Sequence, residues 1–208
     1  MRLRNLIFVS FIFALLTYFS FFYFDISSLS LASTLTHQLP ISVKFSMLVH
    51  RSFATAIWGL LACFFLVILY WRSKNLEQFG KRPATQFWLG ILFTIILCVV
   101  IKTCIGRYRP EMYLDHHLFG FSGFSFDYFR HSMPSGHSAL VFSIATSLSY
   151  FCRSKPITFL VYLIACLCAI TRVLILRHYP SDLLVGALIG IWGSYFAYFF
   201  CNRFRKIK

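Results

Sequence analysis

Three polar clusters interrupt an otherwise apolar chain, and the first holds two cations at a regular spacing. Lys102 and Arg109 stand seven residues apart, close to two turns of helix, so a helix would place both on one face. Two fixed cations suit a dianionic phosphate, which arginine can bind through two parallel hydrogen bonds. Basic residues at the end of an apolar run also reach toward lipid headgroups, so this cluster alone does not decide between the two roles.

The second cluster is Pro134-Ser135-Gly136-His137, directly before another apolar run. Ser135 is well placed to cap the helix that this run predicts. The free N–H groups of a helix N-terminus form an anion site, and Gly136 lets a ligand approach the backbone closely. His137 would lie at the mouth of that site, where it could donate a proton. An ordinary capped turn with a surface histidine is the simpler alternative.

The third cluster contains Arg172, His178 and Asp182. His178 and Asp182 are four residues apart, one turn if helical, and a carboxylate on one imidazole nitrogen leaves the other nitrogen nucleophilic. Arg172 is six residues before His178, off that helical face, so the chain must turn between them for the two to converge. Ionisable residues at the edge of apolar runs are energetically expensive and are usually functional.

The composition predicts a membrane protein that forms a single domain over residues 1–208. Only 12% of the chain is charged and 59% is hydrophobic, whereas soluble domains carry roughly 25% charged residues. Crossing a bilayer takes about 20 apolar residues, and six runs approach or reach that length. They are residues 6–24, 53–71, 85–101, 138–152, 157–176 and 183–200. We therefore expect an all-α bundle of six transmembrane helices, with the chemical motifs within residues 102–182.

The charge balance suggests anionic partners, since 20 Lys and Arg stand against 6 Asp and Glu. Nucleic acid would require a basic face on a soluble module, but here the basic residues lie in short clusters between apolar runs. An anionic membrane surface or a phosphorylated substrate fits that pattern better. The seven cysteines lie in or beside apolar runs without a C-x-x-C pair, so we expect them to pack as small apolar side chains.

Lys and Arg in the loops predict the orientation of the chain. With the N-terminus in the cytoplasm, 12 basic residues fall in cytoplasmic segments and 8 on the other side. Both termini are therefore expected in the cytoplasm, in an inner (plasma) membrane, and the three clusters on the periplasmic or outer side. The outer connections would be residues 25–52, 102–137 and 177–182. The first apolar run, at 19 residues, exceeds the 7–15 of a cleaved signal peptide and is expected to be a retained span.

Taken together, K-x6-R-P, P-S-G-H and R-x5-H-x3-D, in this order, resemble the signature of the type 2 phosphatidic acid phosphatase (PAP2) family. That family is related to the vanadium haloperoxidases, in which vanadate occupies the phosphate site. The resemblance covers roughly residues 98–190 and the six-span layout, whereas residues 1–90 match in topology alone. Thr171 stands where the family usually has serine before the arginine of the third motif, and both side chains carry a hydroxyl.

The resemblance implies a PAP2/haloperoxidase-type bundle with its active site at the outer membrane face. In that reading, His178 attacks phosphorus and forms a phosphohistidine, and Asp182 orients His178. His137 protonates the leaving oxygen and then activates water. No metal or other cofactor is needed. The phosphate would be held by Lys102, Arg109, Arg172 and the amides of Ser135 and Gly136.

The resemblance also implies the reaction, namely hydrolysis of a phosphate monoester or pyrophosphate of a membrane lipid. The candidates are phosphatidylglycerophosphate, phosphatidate, undecaprenyl pyrophosphate and a lipid A phosphate. A phosphotransferase that passes the phosphate to another lipid is the first alternative, because the motifs do not distinguish an acceptor hydroxyl from water. A non-catalytic membrane protein is the second, although it would predict decay of at least one motif. The expected partners are the lipid substrate and the bilayer, and the oligomeric state stays open.

Residues 111–133 contain further acidic, basic and aromatic side chains without an assigned role. Six potential ligands fit no standard metal spacing and are expected to rim the substrate entrance: Glu111, Asp115, His116, His117, Asp127 and His131. Three arginines nearby are candidates for contact with headgroup phosphate or anionic lipid: Arg107, Arg130 and Arg177. Five phenylalanines are expected at the bilayer interface: Phe119, Phe121, Phe124, Phe126 and Phe129.

Overall fold

The computed structural model describes residues 3–38, 82–152 and 154–203. Its helices are α1 (Leu3–Phe19), α2 (Asp25–Gln38), α3 (Arg82–Ile105), α4 (Pro110–His116), α5 (Gly136–Cys152), α6 (Lys155–Leu174) and α7 (Pro180–Arg203). A π-helical turn (Ser20–Phe24) joins α1 to α2, and a 3₁₀ turn (Tyr128–Arg130) precedes α5. Within these ranges no strand forms beyond one isolated bridge between Arg107 and Phe121. The all-α prediction is confirmed for this part of the chain.

Four helical segments are long and apolar enough to cross a membrane: Leu3–Leu35, Thr85–Ile105, Lys155–Leu174 and Pro180–Arg203. They correspond to the first, third, fifth and sixth apolar runs. The fourth run lies on α5, whose 17 residues extend about 26 Å at 1.5 Å per residue, slightly less than a bilayer core. The second run, residues 53–71, lies outside the described residues. The chain is thus an integral membrane protein with four spans of the predicted six identified.

The outward faces of the spanning helices are strongly apolar. On α3, for example, Leu92, Ile96 and Val99 are each at least half exposed. Such an extended apolar surface is uncommon on soluble monomers. Acyl chains can cover it without cost, so the exposed side chains agree with a lipid environment.

The first helical segment is longer than the sequence predicted. Residues 25–38 were expected to begin an outer connection, but α1, the π-helical turn and α2 continue as one helix through Gln38. At 1.5 Å per residue, residues 3–38 extend about 54 Å, which exceeds a bilayer core of about 30 Å. The first expected outer connection therefore begins as a continuation of the helix.

Helix α7 packs against α1, α3, α5 and α6 and forms the centre of the bundle. Gly186 and Gly190, four residues apart, face α5. A Cβ at Gly186 would lie 2.5 Å from Ser135 O, and one at Gly190 would lie 2.8 Å from Ser143 N. Small residues let membrane helices approach to backbone contact. This contact holds the N-terminus of α5 beside that of α7, where the polar clusters lie.

We predict that Gly190→Ala destabilises the bundle by about 1–3 kcal/mol, because the added methyl group has no space against α5. Thermal unfolding of the purified protein in detergent would show a lowered midpoint. Gly136→Ala is the matched control, since a Cβ there meets only Cys98 Sγ, at 3.9 Å. Equal midpoints for the two variants would contradict the proposed close packing.

Candidate active site

The three polar clusters meet at one end of the bundle and are joined by hydrogen bonds. Lys102 Nζ donates to His131 O at 3.0 Å, and Arg109 Nη2 donates to the same oxygen at 3.3 Å. Ser135 N–H donates to the main-chain oxygen of Asp182 at 3.0 Å. These bonds tie the end of α3, the segment before α5 and the start of α7 together. The convergence expected from the sequence is present.

The path of the chain through the first cluster differs from the prediction. Helix α3 ends at Ile105, and Gly106 has φ +56°, so Lys102 and Arg109 do not share a helical face. A Cβ at Gly106 would also overlap the backbone of Gly123. Glycine is required there because the left-handed conformation and the close approach both exclude a side chain.

Lys102 and Arg109 nevertheless converge, because both reach the carbonyl of His131. Arg109 also donates through Nε to Tyr128 O at 2.9 Å, and its guanidinium carbon lies 3.9 Å from the centre of the Tyr128 ring. Arg109 is only 8% exposed. The two cations are therefore fixed by contacts with a segment 19–29 residues further along the chain, not by helical spacing.

Ser135 caps helix α5 as predicted. Its Oγ accepts from Ser138 N–H at 3.4 Å, and its carbonyl accepts from Ala139 N–H at 3.0 Å. Its own N–H is already bonded to Asp182 O, so of the two expected amide donors Gly136 is the one that can face an anion. His137 lies partly exposed in the first turn of α5.

A reverse turn brings Arg172 and His178 together, as their spacing required. Helix α6 ends at Leu174, and Leu176 adopts φ +56°. Arg177 N–H and His178 N–H then both donate to Arg172 O, at 3.1 and 3.3 Å. Arg172 and His178 are 4% and 6% exposed. The third cluster is thus a compact, buried loop between α6 and α7.

The carboxylate of Asp182 lies beside the imidazole of His178, with 3.5 Å between Oδ2 and Nδ1. The same Oδ2 accepts from Ser132 Oγ at 2.6 Å and from Tyr179 N–H at 2.9 Å. Oδ1 accepts from Arg107 Nη1 at 2.5 Å. Asp182 is fully buried, so these donors fix both of its oxygens. Of the two ring nitrogens of His178, Nδ1 is the one that lies beside Asp182.

Burial lowers the pKa of His178 to about 4, and the positive charges of Lys102 and Arg109 lower it further, against the opposing effect of Asp182. His178 is therefore neutral across the physiological range. A neutral imidazole with one nitrogen held by a carboxylate has the protonation state that a nucleophile needs.

Arg107 does not contact lipid headgroups, contrary to expectation, because it is fully buried. Its guanidinium donates to Asp182, to Asp25 and to Ser181 Oγ, at 2.5, 2.5 and 2.6 Å. Burial opposes its charge, but the two carboxylates outweigh this and raise the pKa of Arg107. Four rings surround the guanidinium carbon at 4.5–5.6 Å: Phe21, Phe119, Phe121 and Tyr179. Two of the phenylalanines expected at the bilayer interface thus contact Arg107.

Three residues of this buried network escaped the sequence analysis: Asp25, Ser132 and Ser181. Asp25 offered a signal, because an acidic residue at the end of an apolar run is expensive unless it is paired. Ser132 and Ser181 offered none, since single serines beside the motifs are common. Their partners are distant in sequence, so spacing could not reveal them.

The other two arginines of the outer segments form ion pairs. Arg177 pairs with Glu111 at 2.9 Å and donates to Tyr128 Oη at 2.7 Å, and Arg130 lies 3.6 Å from Asp127. In the described ranges, no group of three or more His, Cys, Asp and Glu side chains is placed to hold a metal ion.

Comparison with known proteins identifies the family. A sequence profile described as PAP2 superfamily matches residues 83–206. The chain is 35% identical over 127 residues to the lipid A 1-phosphatase of Rhizobium johnstonii, covering 59% of this chain and 50% of that protein. It is 30% identical over 137 residues to a probable lipid phosphate phosphatase beta of Arabidopsis thaliana, covering 53% and 62%. The chain spans about half the length of the Rhizobium relatives that it matches.

Solved structures share the fold. Aquifex aeolicus LpxE aligns with a TM-score of 0.59 and 26% identity, covering 82% of this chain and 93% of that chain. The transmembrane PAP2 type phosphatidylglycerolphosphate phosphatase of Bacillus subtilis aligns with a TM-score of 0.60 and 20% identity, covering 95% and 96%. Since the family profile also covers more than half of the chain and all three polar clusters, this chain belongs to the PAP2 superfamily.

Proposed function

We propose that this protein is a lipid phosphate phosphatase that acts through a phosphohistidine at His178. The observation that carries the proposal is the state of His178 itself. It is neutral and buried, its Nδ1 faces the fixed carboxylate of Asp182, and the cations Lys102 and Arg109 act on it electrostatically. A nucleophile beside a cationic cradle is the arrangement that attack on a phosphate ester requires.

The cradle is formed by residues from all three clusters. Lys102 and Arg109 are held beside each other because both donate to the His131 carbonyl. A phosphate oxygen accepts more strongly than a carbonyl because it is charged. Arg172 and the Gly136 amide at the N-terminus of α5 complete the set. No metal is required, since the positive charge is part of the chain.

The reaction proceeds in two displacements. The Nε2 lone pair of His178 forms a bond to phosphorus as the P–O bond to the lipid breaks, and His137 gives its proton to the departing oxygen. Water then attacks phosphorus and transfers a proton to His137, while the N–P electron pair returns to Nε2. The proton on Nδ1 of His178 stays there throughout, and the ionised carboxylate of Asp182 stabilises the positive imidazole of the intermediate.

A lipid A phosphate is the first substrate to test among the four candidates. Three relatives in Rhizobium and Bacteroides are named lipid A 1-phosphatase or lipid A 4'-phosphatase, at 30–35% identity. We place the reaction at the periplasmic face of an inner membrane, with both termini in the cytoplasm. Phosphatidate, phosphatidylglycerophosphate and undecaprenyl pyrophosphate complete the panel.

We predict that His178→Ala and His178→Gln lower phosphate release at least ~10³-fold while the protein stays folded. Release of inorganic phosphate from the lipid panel would be measured in detergent, with EDTA present and no acceptor lipid added. Elution volume and thermal midpoint serve as folding controls. Turnover by either variant at the wild-type rate would overturn the mechanism, and wild-type turnover that requires an acceptor lipid would favour a phosphotransferase.

We predict that kcat/KM, calculated per dianionic substrate, decreases as the pH is lowered, with an apparent pKa near 4. The pKa of His178 is about 4, and its protonated form has no lone pair at Nε2, so activity is lost as the pH falls through that value. The correction is needed because a phosphate monoester loses its second proton near pH 6. A corrected limb near the ordinary histidine pKa of about 6.5 would contradict the burial of His178.

We predict that Phe126→Cys, in a cysteine-free background, reacts with a membrane-impermeant maleimide in intact spheroplasts. Phe126 is 79% exposed, in the loop beside the site. Ser154→Cys, at the N-terminus of α6 and the opposite end of the bundle, should react only after permeabilisation. The reverse pattern would place the site in the cytoplasm.

A further inference from the structure

Asp25 is fully buried although it lies outside residues 83–206 and outside all three motifs. Both of its oxygens are bonded. Oδ1 accepts from Ser20 Oγ and from Ser181 N–H, each at 3.1 Å. Oδ2 accepts from Arg107 Nη2 and from Ser181 Oγ, each at 2.5 Å. A buried carboxylate is tolerated only with such partners, and here Arg107 and Ser181, which belong to the buried network of the site, donate three of the four bonds.

The π-helical turn Ser20–Phe24 aims Asp25 at Arg107. Asp25 N–H donates to Ser20 O, a bond across five residues, and Ser20 Oγ donates back to the Asp25 carboxylate. In a regular α-helix, residues five apart are about 140° apart around the axis, so their side chains would diverge. Phe21, in the same turn, lies 4.9 Å from the Arg107 guanidinium carbon. Turns of this kind frequently occur at functional sites.

Arg107 connects Asp25 to the catalytic pair. One terminal nitrogen bonds Asp25, and the other bonds Asp182 and Ser181 Oγ. Two carboxylates and one guanidinium leave one net negative charge beside His178. Without Asp25, Arg107 would neutralise Asp182, and no net charge would remain to stabilise the positive imidazole that forms on attack.

We propose that Asp25 is a positioning residue of this active site, which fixes Asp182 through Arg107 and supplies the excess negative charge that stabilises the positively charged His178 during attack on phosphorus. The inference rests on the proposed phosphatase function. It assigns the first helical segment a part in the reaction in addition to its packing against α7.

The test is Asp25→Asn, which keeps the shape of the side chain and removes its charge. Arg107 keeps Asp182 as a counter-ion, so no buried charge is left unpaired. We expect kcat and the single-turnover rate of phosphohistidine formation to fall roughly 10- to 100-fold, with KM within about threefold of wild type. Ser20→Ala is the matched control, since it removes one hydrogen bond to the same carboxylate without changing the charge, and it should retain kcat.

The outcomes are distinct. Wild-type kcat per folded molecule in Asp25→Asn, even with a lowered thermal midpoint, would show that Asp25 only anchors the helix and would overturn the proposal.

If Asp25→Asn does not fold, Ser181→Ala decides, because it removes the hydroxyl shared by Asp25 and Arg107. We expect it to lower kcat about fivefold relative to Ser20→Ala, and equal rates would overturn the proposal. Absence of turnover by the wild-type protein on every lipid phosphate would instead refute the proposed function, and the inference with it.

Discussion

The carboxylate of Asp182 is the group on which the rest of the site depends. It is fully buried, and a buried charge is stable only when donors satisfy it. Those donors come from three different segments, namely Arg107 after α3, Ser132 before α5 and Tyr179 before α7. The same bonds to Asp182 therefore hold this end of the bundle together and orient His178. A change that moved any of these segments would also move His178.

Helix packing sets the position of that carboxylate. Gly186 and Gly190 bring the backbone of α7 against α5, and this contact lets Ser135 N–H reach the main-chain oxygen of Asp182. The N-terminus of α5 and the carboxylate of Asp182 are thus brought together because the two glycines, about one and two turns after Asp182, have no side chains. Apolar burial contributes little to helix association in lipid. The relative position of α5 and α7 is therefore set by close backbone contact and by hydrogen bonds at the helix ends.

Residue chemistry in the sequence indicated that the three polar clusters come together, but not the chain paths that bring them together. Lys102 and Arg109 both donate to His131 O, and the main-chain oxygen of Arg172 accepts from His178 N–H. The helical face proposed for the first cluster was wrong, because Gly106 breaks the helix. Asp25 was missed because its partners follow it by 82 and 156 residues, and such pairing is decided by tertiary packing, which local spacing does not encode.

Arg107 and Arg109 are two residues apart in the sequence but have different partners. Arg107 lies between two carboxylates, and its planar guanidinium bonds both at once, which a lysine ammonium could not do with the same geometry. Arg109 donates to the main-chain oxygens of Tyr128 and His131, which carry no formal charge. His178 therefore lies between a negative and a positive region. In the proposed attack on phosphorus, positive charge would develop toward the carboxylates and negative charge would stay among the cations, so the fixed field would favour the charge distribution of the transition state.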